Sequence, residues 1–235
     1  MNILLIDHYA GGPDWGSELR PFLLARQWTK AGDRVTIVAA DYSHKRRQNP
    51  VVQEDLEEKT VSGVTYVFLK TPPYENGVGG QNQNLTAFAK KIWKEAPKLA
   101  ERYRPDVVIA SSTHPFDSFA ALRIAQKTGC AFVFELHENW PDIQEELYGK
   151  GTGVSFAHWA MARALRRANR VVSLLPRGED YLTAQEIPGE KCRYIPEIPT
   201  HPMADHGLSS RRQEYLARLR ESYDFLVLYQ GYVGR

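Results

Sequence analysis

Cysteine is scarce: the 235 residues include only Cys130 and Cys192. The two lie far apart and make no metal-ligand spacing. Neither a disulfide framework nor a zinc site is expected, and the pattern predicts a reducing, cytosolic compartment. Long apolar runs are missing as well. No stretch approaches the ~18 residues of a membrane span. The N-terminal "MNILLID" has an apolar core of only Ile3 to Ile6 before Asp7, too short for a signal peptide. Charge of one sign is also lacking, with 30 basic against 28 acidic residues and a net charge of +2. That balance gives no global pull toward nucleic acid. No Gly-Lys-Ser/Thr follows a glycine loop, which excludes a P-loop, and no G-x-S-x-G supports a serine hydrolase. There is no internal repeat and no low-complexity tract.

What is present is an ordinary globular mixture, 43% hydrophobic and 25% charged, ample for a core. "NILLID" reads as a strand buried on both faces. "HYAGGPDWGSE" reads as a loop. A helix is expected from Ser17, which would cap it, to Gly32, which would end it. "RVTIVAA" completes a βαβ unit. "EEKTVSGVTYVFLKT" predicts a hairpin turning at Ser62-Gly63, "PPYENGVGGQNQN" a long loop, and the residues from about Leu85 to Tyr103 a helix. Strands and helices then alternate through "DVVIASS", "FDSFAALRIAQKTG", "AFVFELH", "SFAHWAMARALRRAN", "RVVSLL", "RGEDYLTAQE" and "KCRYIPE". The prediction is an α/β fold, a Rossmann-like, doubly wound, mostly parallel sheet. Residues 1–200 form that domain. Residues 201–222 read as a linker and charged helix, and 223–235 as the first strand of a second domain that is cut short.

In open α/β sheets ligands bind beyond the carboxyl ends of the strands. Three polar clusters fall there: "HYAGGPDWGSE", "SSTHPFD" and "HENWPD". Gly11, Gly12 and Gly16 precede a helix start, where free N–H groups and the helix dipole suit a phosphate. The same glycines can also simply make a turn. Their spacing is not G-x-G-x-x-G, although Asp41 at the end of the second strand imitates a ribose-binding acid. His137 is flanked by Glu135 and Glu138, carboxylates able to orient the ring or raise its pKa. "HENWP" is not H-E-x-x-H, and Pro141 is expected to break any helix that would align metal ligands, so no metal is expected. His114 at the neighbouring strand end is a candidate substrate contact, with Ser111, Ser112 and Thr113 as helix-capping hydroxyls. Trp15 and Trp140 can stack on a sugar or pack in the core, and packing is the commoner fate. The basic-aromatic run from Trp159 to Arg170 reads as a solvated face, or as a surface for an anionic membrane.

Taken in order, "NILLIDHYAGGPDWGSELRPFLLARQWTKAGDRVTIVAADYSH", "KTPPYENGVG", "PDVVIASSTHPFDSFAAL", "FVFELHENWP" and "RVVSLLP" resemble the N-terminal domain of family-four retaining glycosyltransferases of GT-B fold. The nearest branch is that of bacterial O-antigen, capsule and exopolysaccharide enzymes. The resemblance implies that Gly11, Gly12 and Gly16 approach phosphate. It also implies that His137 is catalytic, near the transferred sugar, with Glu138 where the family has Asp. The family's Pro-Asn-Gly before the linker is replaced by "IPEIP".

The expected activity is metal-independent transfer from a nucleotide sugar to a lipid-linked or glycan acceptor, in bacterial surface polysaccharide synthesis. No cofactor is implied beyond the nucleotide-sugar donor. As partners the resemblance implies that donor and acceptor. The missing C-terminal half is expected either in the same chain or as a separate one. The basic-aromatic run from Trp159 to Arg170 suggests peripheral contact with the inner face of the cytoplasmic membrane. This half alone is expected to be inactive. The competing readings are a dinucleotide-binding module using Gly12, Gly16 and Asp41, and a non-catalytic partner subunit.

Overall fold

A computed structural model describes residues 1–16, 18–75, 78–197, 210–223 and 225. The strands are β1 (Asn2–Ile6), β2 (Arg34–Ala40), β3 (Glu57–Val61), β4 (Val64–Leu69), β5 (Val107–Ala110), β6 (Ala131–Leu136), β7 (Arg170–Ser173) and β8 (Cys192–Tyr194). The helices are α1 (Arg20–Lys30), α2 (Val78–Tyr103), α3 (Ser118–Thr128), α4 (Trp140–Tyr148), α5 (Thr152–Arg167), α6 (Gly178–Thr183) and α7 (Ser210–Ser222). Two compact units result, Met1–Ile198 and Pro199–Arg235. Of the second, the described residues are essentially the charged helix α7.

The sheet order is β3-β4-β2-β1-β5-β6-β7-β8. All neighbours are parallel except the hairpin β3–β4, which turns at Ser62-Gly63 as its sequence predicts. Strand residues alternate between two cores, as the twofold pleat requires. Leu4, Ile6, Val108 and Phe134 pack with Phe88 and Ile92 of α2, Ile124 of α3 and Met161 of α5. Ile3, Leu5, Ile37 and Tyr66 face the other way, onto Phe22 and Ala25 of α1 and onto Trp15. Burial on both faces explains why the central strands read as continuous apolar runs. From β1 the chain winds outward first through β2 and then, after α2, through β5. The crevice between the carboxyl ends of β1 and β5 is therefore the topological switch point.

Three local expectations need correction. Helix α1 begins at Arg20, with Pro21 in its first turn, where a missing N–H costs nothing. Ser17, the expected cap, lies outside the described residues. Helix α2 begins at Val78, about two turns before Leu85, so most of the expected loop is helical. A Cβ on Gly80 would lie 2.6 Å from Cβ of Tyr74, so the glycine is there for close packing and not for a turn. Pro141 does not break a helix: it occupies the first turn of α4, a position suited to its fixed φ. Of the linker and helix expected over 201–222, residues 201–209 lie outside the described residues, as does the strand expected in 223–235, apart from Tyr223 and Phe225.

Candidate active site

The carboxyl ends of β1, β5 and β6 bring the three polar clusters together. Glu135 is the pivot. Its carboxylate is buried, 4% exposed. It accepts from Nη2 of Arg20 at 3.1 Å and from the hydroxyl of Ser111. Nε2 of His137 lies 3.4 Å from the same carboxylate and 3.3 Å from Oγ of Ser111. Because the Ser111 hydroxyl hydrogen goes to Glu135, its oxygen is free to accept from His137 Nε2–H. Burial would push the His137 pKa down. Glu135, with Asp7 and Glu18 farther off, more than offsets that, and the pKa is raised. Burial likewise opposes ionisation of Glu135, yet the His137, Arg20 and Ser111 donors hold its pKa low. The pair is a carboxylate beside an imidazole that favours its proton. Among the described residues Nδ1 of His137 makes no hydrogen bond, so one donor remains for a ligand.

Two more carboxyls lie beneath. Asp7 and Asp117 are each pushed up to about 7, chiefly by burial. Asp117 accepts from the Ser112 N–H through Oδ2 at 3.2 Å, while its Oδ1 is buried without a partner.

His114 is fully buried, and both of its nitrogens are engaged. Nδ1 accepts from the Phe116 N–H at 3.4 Å, which leaves the hydrogen on Nε2. That nitrogen donates to Nδ1 of His8 at 3.1 Å. His8 Nε2–H then donates to Oδ1 of Asn84 at 2.6 Å. The Asn84 amide donates to Oγ1 of Thr71 at 2.9 Å, and the Thr71 hydroxyl to Asp41 at 3.1 Å. Every link points the same way. Burial takes the His114 pKa down to about 3 and that of His8 well below the usual imidazole range, so both rings are neutral. His114 has no nitrogen left for a substrate, and its place here is in positioning the rim.

The glycine loop is a packed turn. The Gly11 N–H donates to Glu18 O at 3.1 Å, Gly12 N–H to Gly16 O at 3.4 Å, and Gly16 N–H to Gly12 O at 2.8 Å. All three amides expected to face phosphate have acceptors within the loop. Trp15 packs edge-on against Tyr66 and Phe68, ring centres 5.0 and 5.2 Å away. Tyr66 also donates to Gly11 O at 2.7 Å. The dinucleotide reading loses its amides here and its acid at Asp41, which already accepts from Thr71.

Beside the loop, Tyr42, Ser43, His44, Arg46, Asn49, Tyr74 and Glu75 enclose a polar pocket of about 370 Å³ on the same rim. Arg46 in its wall is buried and donates to the carbonyls of Ala10, Ala40 and Asp41. Its guanidinium ties down the ends of β1 and β2.

Residues 16–197 match the family described as glycosyl transferase 4-like domain. The chain belongs to this family. No curated protein matches it in sequence. Among solved structures, the glycosyl transferase 4-like domain resembles sucrose-phosphate synthase from Thermosynechococcus elongatus, with TM-score 0.60 and 15% identity over 91% of this chain and 52% of that one. It also resembles the catalytic domain of starch synthase IV from Arabidopsis thaliana bound to ADP and acarbose, with TM-score 0.58 and 14% identity over 94% and 58%. A third is Arabidopsis thaliana UGT89C1 complexed with quercetin, at 0.54 and 14% over 92% and 54%. The fold is that of the N-terminal half of a GT-B glycosyltransferase, and the chain spans about half the length of these structures.

Within this glycosyl transferase 4-like domain, His137 and Glu138 lie on the rim as the sequence implies. Glu138 is half-buried and makes no hydrogen bond or ion pair among the described residues. The glycines and His114 share the rim but are turned to structural use. Sequence reasoning missed Asp7, His8, Arg20, Asn84 and Asp117. His8 carried a readable signal, a histidine at the carboxyl end of the first strand. Arg20 carried none, because it reaches Glu135 across 115 positions of sequence. Among the described residues no cluster of three or more His, Cys, Asp or Glu could hold a metal ion. No described helix is long and apolar enough to cross a membrane.

Proposed function

We propose that this chain is the acceptor-side half of a retaining, metal-independent glycosyltransferase. It would move a sugar from a nucleoside-diphosphate sugar to a hydroxyl of a lipid-linked or glycan acceptor, in bacterial surface polysaccharide synthesis. The observation that carries the reading is His137, with Nε2 anchored on Glu135 and Ser111 and Nδ1 unused, on the crevice where α/β folds bind ligands. In the transfer, the bond between the anomeric carbon and the diphosphate oxygen breaks and a bond to the acceptor oxygen forms. The acceptor proton leaves with the phosphate or solvent. Protonated His137 would donate through Nδ1 to a sugar hydroxyl, or to an oxygen that gains charge as the leaving group departs. Glu138 would accept from an acceptor hydroxyl. Tyr42, His44 and Tyr74 give the neighbouring pocket the aromatic and polar lining that suits sugar rings. The donor's nucleotide would be held mainly by a second domain, so this half alone would not turn over.

Thermal shift with short glycans and nucleoside-diphosphate sugars, against nicotinamide dinucleotides, tests the class. A shift with the sugars alone is expected, and a shift with dinucleotides alone would overturn the reading. With a donor-binding GT-B half supplied, His137→Ala should lower turnover by roughly 10²-fold. Unchanged turnover at saturating substrate would remove His137 from the mechanism.

A further inference from the structure

Arg20 has a second partner besides Glu135. It stands at the start of α1 with its guanidinium buried. Nη2 donates to Oε1 of Glu135 at 3.1 Å, and Nη1 donates to the carbonyl oxygen of Pro196 at 2.9 Å. Nε is buried with no acceptor. The planar fork of a guanidinium holds its donors at a fixed angle, so one side chain fixes two acceptors relative to each other. A counterion for Glu135 needs only the first of these bonds.

Pro196 lies where the chain leaves the sheet. Ile195, the residue after β8, donates its N–H at 2.9 Å to the carbonyl of Ser173, at the carboxyl end of β7. Pro196 has no N–H, so the ladder stops there. Both residues are exposed, as is Glu197, and the compact unit ends at Ile198. Among the described residues, the bond from Arg20 is the only polar tie on Pro196 and Glu197. The rim carboxylate and the exit of the chain thus share one buried cation.

We infer that Arg20 is a positioning residue that couples the exit segment at Ile195 and Pro196 to His137 through Glu135. When the segment lifts, Nη1 loses its acceptor inside the protein, a costly state for a charged donor. Glu135 is the carboxylate in reach, and the guanidinium turns onto it with both η nitrogens. Less of that carboxylate then remains for His137. Burial pushes the His137 pKa down and Glu135 more than offsets it, so a lifted segment favours the neutral ring. The other charged groups that face His137 are Asp7 and Glu18 from the turn after β1, Asp117 from the turn before α3, and Glu138 next in the chain. Substitutions at Ile195 or Pro196 remove none of them. The inference goes beyond the transferase reading and does not depend on it. If that reading also holds, a pull on the chain where it leaves this unit changes the charge at the proposed sugar contact.

NMR titration of the His137 ring and amide hydrogen exchange, both on the full chain without substrate, test the coupling. Ile195→Pro removes the bond to Ser173, and Pro196→Gly frees the backbone that holds the carbonyl in place. Both positions are exposed, so circular dichroism should show the fold kept. Each variant should lower the His137 midpoint by roughly half a pH unit. Arg20→Lys keeps the charge without the fork, and the Ile195 and Glu197 amides should then exchange roughly tenfold faster. Two results would overturn the inference: a His137 midpoint at the parent value in both exit-segment variants, or exit-segment exchange at the parent rate in Arg20→Lys. Neither readout needs a bound sugar, so this inference and the transferase reading fail separately.

Discussion

Glu135 gathers three polar partners of the site, Arg20, Ser111 and His137, on a single side chain. A strand residue that points among Arg20, Ser111 and His137 must be ionised to satisfy all three, and the Arg20 guanidinium is buried with it at 2% exposure. Breaking such a pair leaves an uncompensated charge inside. Glu135→Gln should cost roughly 3 kcal/mol in denaturant unfolding. It should also lower the His137 pKa, because the carboxylate that offsets burial is gone. An NMR titration of the His137 ring in parent and variant reads this directly. An unchanged midpoint would show that Glu135 does not set the charge of His137. The residue scale was only partly legible in sequence. Glu135 beside His137 is visible in "FELHENW", but its partners Arg20 and Ser111 arrive through tertiary packing, which no local pattern encodes.

At the scale of elements, the strands were legible and the helix starts were not. Apolar runs flanked by glycine and charge located β1, β2, β4, β5, β6 and β7, because burial on both faces leaves an unmistakable composition. The first two turns of α2 were misread, since Gly79, Gly80, Asn82 and Asn84 look like a loop by propensity. Packing overrides that propensity. Gly80 admits Tyr74, and Asn84 bridges His8 to Thr71 and donates to the Pro72 carbonyl at 2.8 Å. Pro141 misled in the opposite direction, because a proline that stops a helix from within can start one from its first turn. Gly80→Ala should therefore destabilise the protein, although alanine favours a helix, by roughly 1–3 kcal/mol of overpacking against Tyr74. Chemical denaturation checks it. A stabilised variant would mean that the first turns of α2 are not pinned to Tyr74.

For the whole molecule, buried titratable groups set an opposed pH dependence. Asp7 and Asp117, raised from an ordinary 3.8 to about 7, cost nothing where both folded and unfolded chains are protonated. As pH rises the unfolded chain loses its protons first, so stability falls between about pH 4 and pH 7. His8 and His114 act in reverse. Their folded pKa values are depressed, and stability climbs as pH rises toward 6.5, the ordinary value. His137, with its raised pKa, adds stability at low pH that is lost as pH rises through its folded pKa. Asp117→Asn removes one falling arm. Its stability relative to the parent should grow from pH 4 to pH 7 and level off at a gain of roughly 1–3 kcal/mol. Urea unfolding at pH 5 and pH 8 measures the difference. A gap that does not change with pH would show that Asp117 is ionised in the fold like any surface carboxylate.

The line of donors from the Phe116 amide to Asp41 has a consequence for proton traffic. A wire of neutral imidazoles can hand a proton along only by reversing every link behind it. Here the first link is a backbone N–H, which cannot turn around. The floor of the crevice is thus an insulator. In the proposed transfer the acceptor proton would therefore leave outward, with the phosphate or to solvent, and not inward along this line. The same feature makes the line silent: of the seven histidines in the sequence, His8 and His114 stay neutral on either side of neutrality and report nothing of what happens above them.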